Sequence, residues 1–373
     1  MSDASAAPPA PVQSASTSIF VATFAGALVA TALLLFLDLF LARVDRRESD
    51  AHAASDYADG LGLLAAGRAQ DAAARFSAAV AIDRQNANYA LALGEALLGQ
   101  GRLTEAEATL KALLDRAEND GAVNLTMAHV MMREGRAAEA TAYFHRAIFG
   151  HWGADSVARR RQARFELIDL LARRGAASEL LAELLPLEDT SPDSIALRRK
   201  LGHLFIQAGS PARAATMFRE VLRRDSHDAD AFAGMGEAAL ALGNFRTARA
   251  DLAEAARLQP DDDRIASSLA VADTVLALDP TARDIGSHER YLRSRELLGR
   301  TIATLGVCAP QGGSARADSA AALLASTPNR AREESSGQEM LSLAIDLWAA
   351  RAAACAPAGD DQVLHLVHRR LAQ

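Results

Sequence analysis

The sequence predicts an all-α protein, an α-solenoid of about six stacked helix pairs, and three observations carry that prediction. First, Gly67, Gly101, Gly135, Gly175, Gly209 and Gly243 stand 34 residues apart, except for one 40-residue step between Gly135 and Gly175. Second, a small residue lies seven positions before each glycine (Gly60, Gly94, Ala128, Gly202 and Gly236, with Ile168 the exception). Another lies five positions after it (Ala72, Ala106, Ala140, Ala214 and Ala248, with Leu180 the misfit). Third, a large apolar residue follows four positions further on: Phe76, Leu110, Phe144, Leu184, Phe218 or Leu252. The composition agrees, being 50% hydrophobic but only 5% aromatic, which suits helices that pack through small side chains.

Each unit therefore reads as two helices and a turn. Glycine takes the left-handed conformation that ends a helix without steric cost, so it closes the first helix of the pair. Small residues on the facing sides let the helices approach, and the Phe or Leu fills the remaining groove. A 34-residue period with this pattern resembles the tetratricopeptide repeat. The resemblance is closest in Ala229–Asp262, where Gly236, Gly243, Ala248, Ala255 and Pro260 fall at the family's favoured positions. It covers residues 53–262, a little over half of the chain.

Taken in order, residues 1–18 are rich in Ala, Pro and Ser and read as a disordered tail. Residues 19–41 are apolar apart from Thr23, Thr31 and Asp38, and as a helix would reach about 34 Å, enough to cross a bilayer. A cleaved signal peptide fits less well, because no basic residue precedes the run and the run is long. Ala22, Gly26 and Ala30 form a small-residue stripe on that helix, suited to packing against a second copy as a homodimer. Residues 42–52 read as a polar linker, and residues 53–262 as the repeat array. Six extra residues between Ala154 and Arg161, with bulky Ile168 and Leu180, are expected to space the fourth helix pair more widely. Residues 263–280 form a helix that caps the array, closed by Asp279-Pro280, and residues 281–373 a C-terminal helical region. Within that region helices are expected over about Ser287–Val307, Gln338–Cys355 and Asp360–Leu371, with linkers at Gly312–Asp318 and Ser326–Gly337.

A formal net charge of −7 argues against nucleic acid as a partner. Metal and catalytic constellations are not apparent. His365 and His368 lack further ligands, and Asp225, Asp228 and Asp230 read as helix capping. No cofactor is implied, and the chain reads as a binding module, not an enzyme. The resemblance does imply a partner groove along the first helices. Its side chains are Tyr57 and Leu61; Glu95; His129 and Arg133; Phe165, Asp169 and Arg173; Arg199, His203 and Gln207; and Glu237. The Lys and Asn pattern by which some members hold a peptide's terminal carboxylate is missing. The gathering of Arg133, Arg173 and Arg199 with His129 and His203 leads to the expectation of an acidic protein or peptide ligand.

The function expected is that of a single-pass membrane scaffold of bacterial type that docks protein partners. The alternatives are a self-associating component of an envelope or secretion assembly, and an enzyme with a site in the C-terminal helices. Arg43, Arg46 and Arg47 follow the span and favour a cytoplasmic array at the inner membrane. Cys308 and Cys355, each in a Cys-Ala-Pro context, would instead suit a disulfide in an oxidising compartment.

Overall fold

A computed structural model describes residues 15–153, 155–190, 194–308, 315–327, 334–354 and 362–372, in some helix ends by the backbone alone. Among the described residues the chain is helical and has no strand. The helices are α1 (Ala15–Ala65), α2 (Ala69–Ile82), α3 (Ala87–Gly99), α4 (Leu103–Leu114), α5 (Gly121–Arg133), α6 (Ala137–Phe149), α7 (Ser156–Arg174), α8 (Ala177–Thr190) and α9 (Ile195–Gln207). They continue with α10 (Pro211–Leu222), α11 (Ala229–Ala241), α12 (Phe245–Leu258), α13 (Asp263–Leu278), α14 (Ser287–Cys308), α15 (Ala315–Ser326), α16 (Glu334–Ala354) and α17 (Gln362–Leu371). The chain forms two compact units, Met1–Leu167 and Ile168–Gln373, divided within α7.

All six seam glycines have positive φ, between 67° and 78°. Where the first helix of a pair ends, the residue after the glycine donates to a carbonyl five residues back. Arg68 N to Leu63 O (2.9 Å), Arg102 N to Leu97 O (3.0 Å) and Asn244 N to Ala239 O (2.8 Å) are examples. The glycine's own N–H bonds three residues back, as from Gly67 to Leu64 O (3.0 Å), so the helix ends in a Schellman motif. The opposite ends are capped by side chains. Asn86, Asp120, Ser194, Asp228 and Asp262 accept backbone N–H groups at the starts of α3, α5, α9, α11 and α13.

Large residues then fill the space that small ones leave. Phe76, Leu110, Phe144, Leu184, Phe218 and Leu252 are all fully buried, as are Ala72, Ala106, Ala140, Ala214 and Ala248. Gly60 lies on the Phe76 ring, Gly94 on Leu110 and Gly236 on Leu252, while Gly202 and Gly234 both lie on Phe218. A Cβ built on Gly234 would stand 2.2 Å from that ring. In the fourth helix pair the bulk of Ile168 and Leu180 is taken into the core, where they are 0% and 1% exposed.

Three expectations about boundaries change. The segment 42–52, read as a linker, is helical, because α1 runs unbroken from the apolar stretch into the first repeat, where Ala53 is buried and Gly60 meets Phe76. The segment lacks Gly and Pro, and Arg, Asp, Glu and Ala suit an exposed helix as well as a linker. The expected tail lies outside the described residues up to residue 14, and from Ala15 the backbone is helical. The linker expected at 312–318 overlaps α15, and that at 326–337 overlaps the start of α16.

Between α6 and α7, His151 and Trp152 form a hook. His151 bridges to the turn before α5, its N–H donating to Asn119 O (2.7 Å) and its carbonyl accepting from Gly121 N (2.8 Å). Trp152 donates from Nε1 to Ala147 O (2.7 Å) and covers Gly121, where a Cβ would stand 2.3 Å from the indole. At the other end, one apolar core joins α11, α12 and α13 to the helices that follow, including buried Leu252, Val275, Leu278, Tyr291, Leu298, Met340, Leu347 and Leu364. The array's last face is therefore covered by α13 together with the C-terminal helices. His368 is buried and stacks on Trp348, which packs against this core, at 4.7 Å. Its Nε2–H donates to Thr301 Oγ1 (3.1 Å), whose own hydrogen goes to Leu297 O, and burial pushes its pKa down to about 4.

Two glycine substitutions test the packing account by opposite signs. Gly234→Val puts carbon into the Phe218 ring and should cost about 1–3 kcal/mol. Gly62→Ala lies on an exposed part of α1 with nothing within 4 Å, and should stabilise by about 0.5–1 kcal/mol. Urea denaturation followed by circular dichroism reads both.

Candidate partner-docking faces

The first helices of the repeats carry the expected partner-binding side chains, and the two compact units present them differently. In the first unit Tyr57 is half-buried between the rings of Phe76 (5.8 Å) and Tyr89 (5.0 Å), while Leu61 is 44% exposed. Leu98, His129, Met132 and Arg133 line a recess of about 300 Å³. Arg133 is exposed and makes no ion pair with any described residue. Water reaches Glu95, yet the walls around it strip enough hydration to raise its pKa, against the lowering effect of Arg159 and His129. His129 itself is engaged. Its Nε2 bonds Glu166 Oε2, and its ring stands edge-on to Phe144 at 6.0 Å. Burial pushes the Glu166 carboxyl upward, but the hydrogen bonds from His129 and Gln162 outweigh it and leave the pKa lowered. Phe165 is half-buried.

In the second unit most of the expected groups belong to one charge network. Arg199 bonds Asp228 Oδ2 (2.7 Å) and approaches Asp230 (3.8 Å), while His203 Nε2 lies 2.9 Å from Asp230 Oδ2. Arg264 closes the network through Asp230 (2.8 Å) and Glu237 (2.6 Å). Asp169 pairs with Lys200 (2.9 Å), and Gln207 and Arg173 remain exposed. The network sets two arginines against three carboxylates, Asp228, Asp230 and Glu237, so its acids outnumber its arginines by one. The grounds for an acidic ligand weaken accordingly. His129, Arg199 and His203 are already matched by carboxylates, which a list of side chains at groove positions does not reveal.

Arg264 was legible in principle. It stands 34 residues after Asp230, so carrying the repeat phase one unit further into α13 points to it. Asp228 emerged as a cap, but its second role as the partner of Arg199 depends on the neighbouring helix pair. Of the remaining expectations, Gly26 and Ala30 are exposed on α1, with open space beside Gly26, while the Ala22 side chain lies outside the described residues. So do Cys355 and the side chain of Cys308. Among the described residues no three His, Cys, Asp or Glu side chains gather as a metal site.

Helix pairs closed by left-handed glycines, stacked through small residues, define a helical-repeat protein. The model of the tetratricopeptide repeat matches residues 63–130 and 205–272, so those two segments carry tetratricopeptide repeats. No curated protein sequence matches it. Among solved structures it is similar to YrrB, described as a protein of this repeat with an unusual peptide-binding site (19% identity, 52% of this chain and 96% of that one, TM-score 0.43). It is also similar to pilF of Pseudomonas aeruginosa (15% identity, 60% and 99%, TM-score 0.41). PilW, a type IV pilus biogenesis factor, is a further one (20% identity, 58% and 98%, TM-score 0.39).

Asp230 allows a test of the charge network. The hydrogen bond with His203 is the main cause of its lowered pKa, opposed by burial and reinforced by the charges of His203, Arg264 and Arg199. A lowered carboxyl pKa stabilises the fold above the unfolded value of about 4, and that contribution fades as pH falls through the folded value. Asp230→Asn should therefore lower the melting temperature at pH 6, and the difference from wild type should shrink as pH drops below about 4. A difference that does not change with pH contradicts the assignment.

Proposed function

We propose that this protein is a membrane-anchored docking scaffold, its repeats receiving segments of partner proteins on the face of the first helices. The observation that carries this reading is the continuity of α1. Its side chains from Phe24 to Leu41 are apolar and exposed apart from Asp38 and small or hydroxyl residues, as a lipid-facing helix requires. Among the described residues it is the one helix long and apolar enough to cross a membrane. The same helix becomes the first helix of the first repeat without a break. Residues 42–52 add about 16 Å of rigid helix between the bilayer and the array. The first repeat is thus held near the membrane at a set distance instead of on a tether. Arg43, Arg46 and Arg47 at the end of the span favour a cytoplasmic array over a periplasmic one.

The partner's main contact is apolar. Leu61 is open to solvent, and Leu98 and Met132 line a recess in the same compact unit, whereas most charged groups on these faces are matched within the protein. Affinity should therefore depend little on ionic strength.

Photo-crosslinking residues at positions 61 and 132, with a control at exposed Ile82, test this in membranes. The expected result is the same protein partner captured from the first two positions and not from the third, with Met132→Asp abolishing capture and added salt leaving it nearly unchanged. Equal capture from all three positions, or release of the protein from membranes by alkaline carbonate, contradicts the proposal.

A further inference from the structure

We propose that one edge of the first compact unit, formed by the end of α6 and the start of α7, rests on the bilayer and takes anionic phospholipid headgroups. The inference rests on the membrane-anchor reading of α1 given above.

Which edge faces the membrane follows from the direction of the helices. α1 enters the unit from the span, so Ala53 is the membrane-proximal end of the first repeat helix. α2 returns antiparallel beside it, with Arg75 paired to Asp56 (2.9 Å) and Phe76 against Tyr57. α3 then runs in the direction of α1, with Tyr89 against Tyr57. The left-handed glycines therefore lie at the far end, where Gln100 Nε2 donates to Ala69 O (2.9 Å). The connections that follow the second helices lie at the near end. There Arg116 Nη1 donates to Arg84 O (3.1 Å), and His151 N to Asn119 O (2.7 Å). Phe149 ends α6 and Ser156 opens α7 on that same edge, tied together by Arg160 Nη2 donating to Gly150 O (2.9 Å).

The chemistry of this edge suits a lipid surface. Phe149 and Val157 are each 73% exposed, the most open large apolar side chains among the described residues. Between residues 149 and 161 the chain sets Arg159, Arg160 and Arg161 against one carboxylate, Asp155. Cations near the start of a helix oppose its dipole, and the first turn of α7 holds no acid to offset them. Arg159 and Arg161 make no ion pair with a described residue, although the charge of Arg159 reaches Glu95. Phosphate headgroups would match the arginines, and the hydrocarbon boundary beneath them the two apolar side chains.

The distances are compatible. About 16 Å of helix separates the span from Ala53, and headgroups take up about 6 Å of it, leaving about 10 Å with α1 upright. Helices packed about 8–10 Å apart put the start of α7, three first helices on, about 25–30 Å to the side. A tilt of about 20° toward that side, the average for spanning helices, lowers it by about 10 Å onto the headgroups.

The full chain in lipid nanodiscs tests this with a photo-reactive residue at position 149 or 157, and at exposed Ala138 near the other end of α6 as control. Mass spectrometry reads the adducts. Lipid adducts are expected from 149 and 157 in discs containing phosphatidylglycerol, at least about tenfold fewer in discs of phosphatidylcholine alone, and none from 138. Arg159→Gln and Arg161→Gln should each cut the yield by about fivefold, with a melting temperature equal to or above that of wild type, since each removes a cation that opposes the dipole. Adducts to a second copy of the chain in place of lipid, equal yields in the two kinds of disc, or equal yields from 138 overturn the proposal. Release of the chain from native membranes by alkaline carbonate overturns the anchor reading and this inference with it, whereas an anchored chain without lipid adducts at 149 and 157 overturns this inference alone.

Discussion

Everything in the array depends on one backbone constraint, the left-handed glycine that ends each first helix. With φ near +70° the chain reverses within three residues, and the bonds from Arg68, Arg102 and Asn244 back to the preceding turn satisfy carbonyls that a helix end would otherwise leave open. The reversal brings the second helix back along the first. The residues that then face each other are those seven before and nine after the glycine, which is why Gly60 meets Phe76 and Gly236 meets Leu252. The repeat is therefore a single geometric statement expressed six times, and the small-against-large packing follows from it.

That geometry also shapes the chemistry of the docking faces. Stacking first helices side by side sets side chains of one pair against those of the next, so a charge at a groove position meets its neighbour before it meets a partner. Arg199 with Asp228, His203 with Asp230, and Arg264 with both Asp230 and Glu237 are the result. These half-buried pairs add little stability individually, but they order the face and cancel its charge. On the docking reading proposed above, what remains for recognition is shape and apolar contact, as around Leu98 and Met132.

The fold was largely legible in the sequence because its signal is local and repeated. The phase of the glycines, the buried alanines and the capping Asp228 need no knowledge of distant residues. Other features were hidden for physical reasons. The run from Arg43 to Ser55 is polar because it is exposed, and polarity does not distinguish a solvated helix from a linker. Trp152 matters through Gly121, about thirty residues earlier, and only the folded chain brings them together. The recess beside His129 follows the groove positions implied by the repeat, but the engagement of His129 by Glu166 comes from the next helix pair along.

The seam itself admits a direct measurement. At Gly101 nothing lies within 4 Å of where a Cβ would go, so substitution by alanine there tests backbone conformation separately from packing. With φ at +76°, Gly101→Ala should lose about 1 kcal/mol in urea denaturation. Equal or greater stability of that variant would contradict the account, because it would mean that the left-handed turn does not govern how the repeat closes.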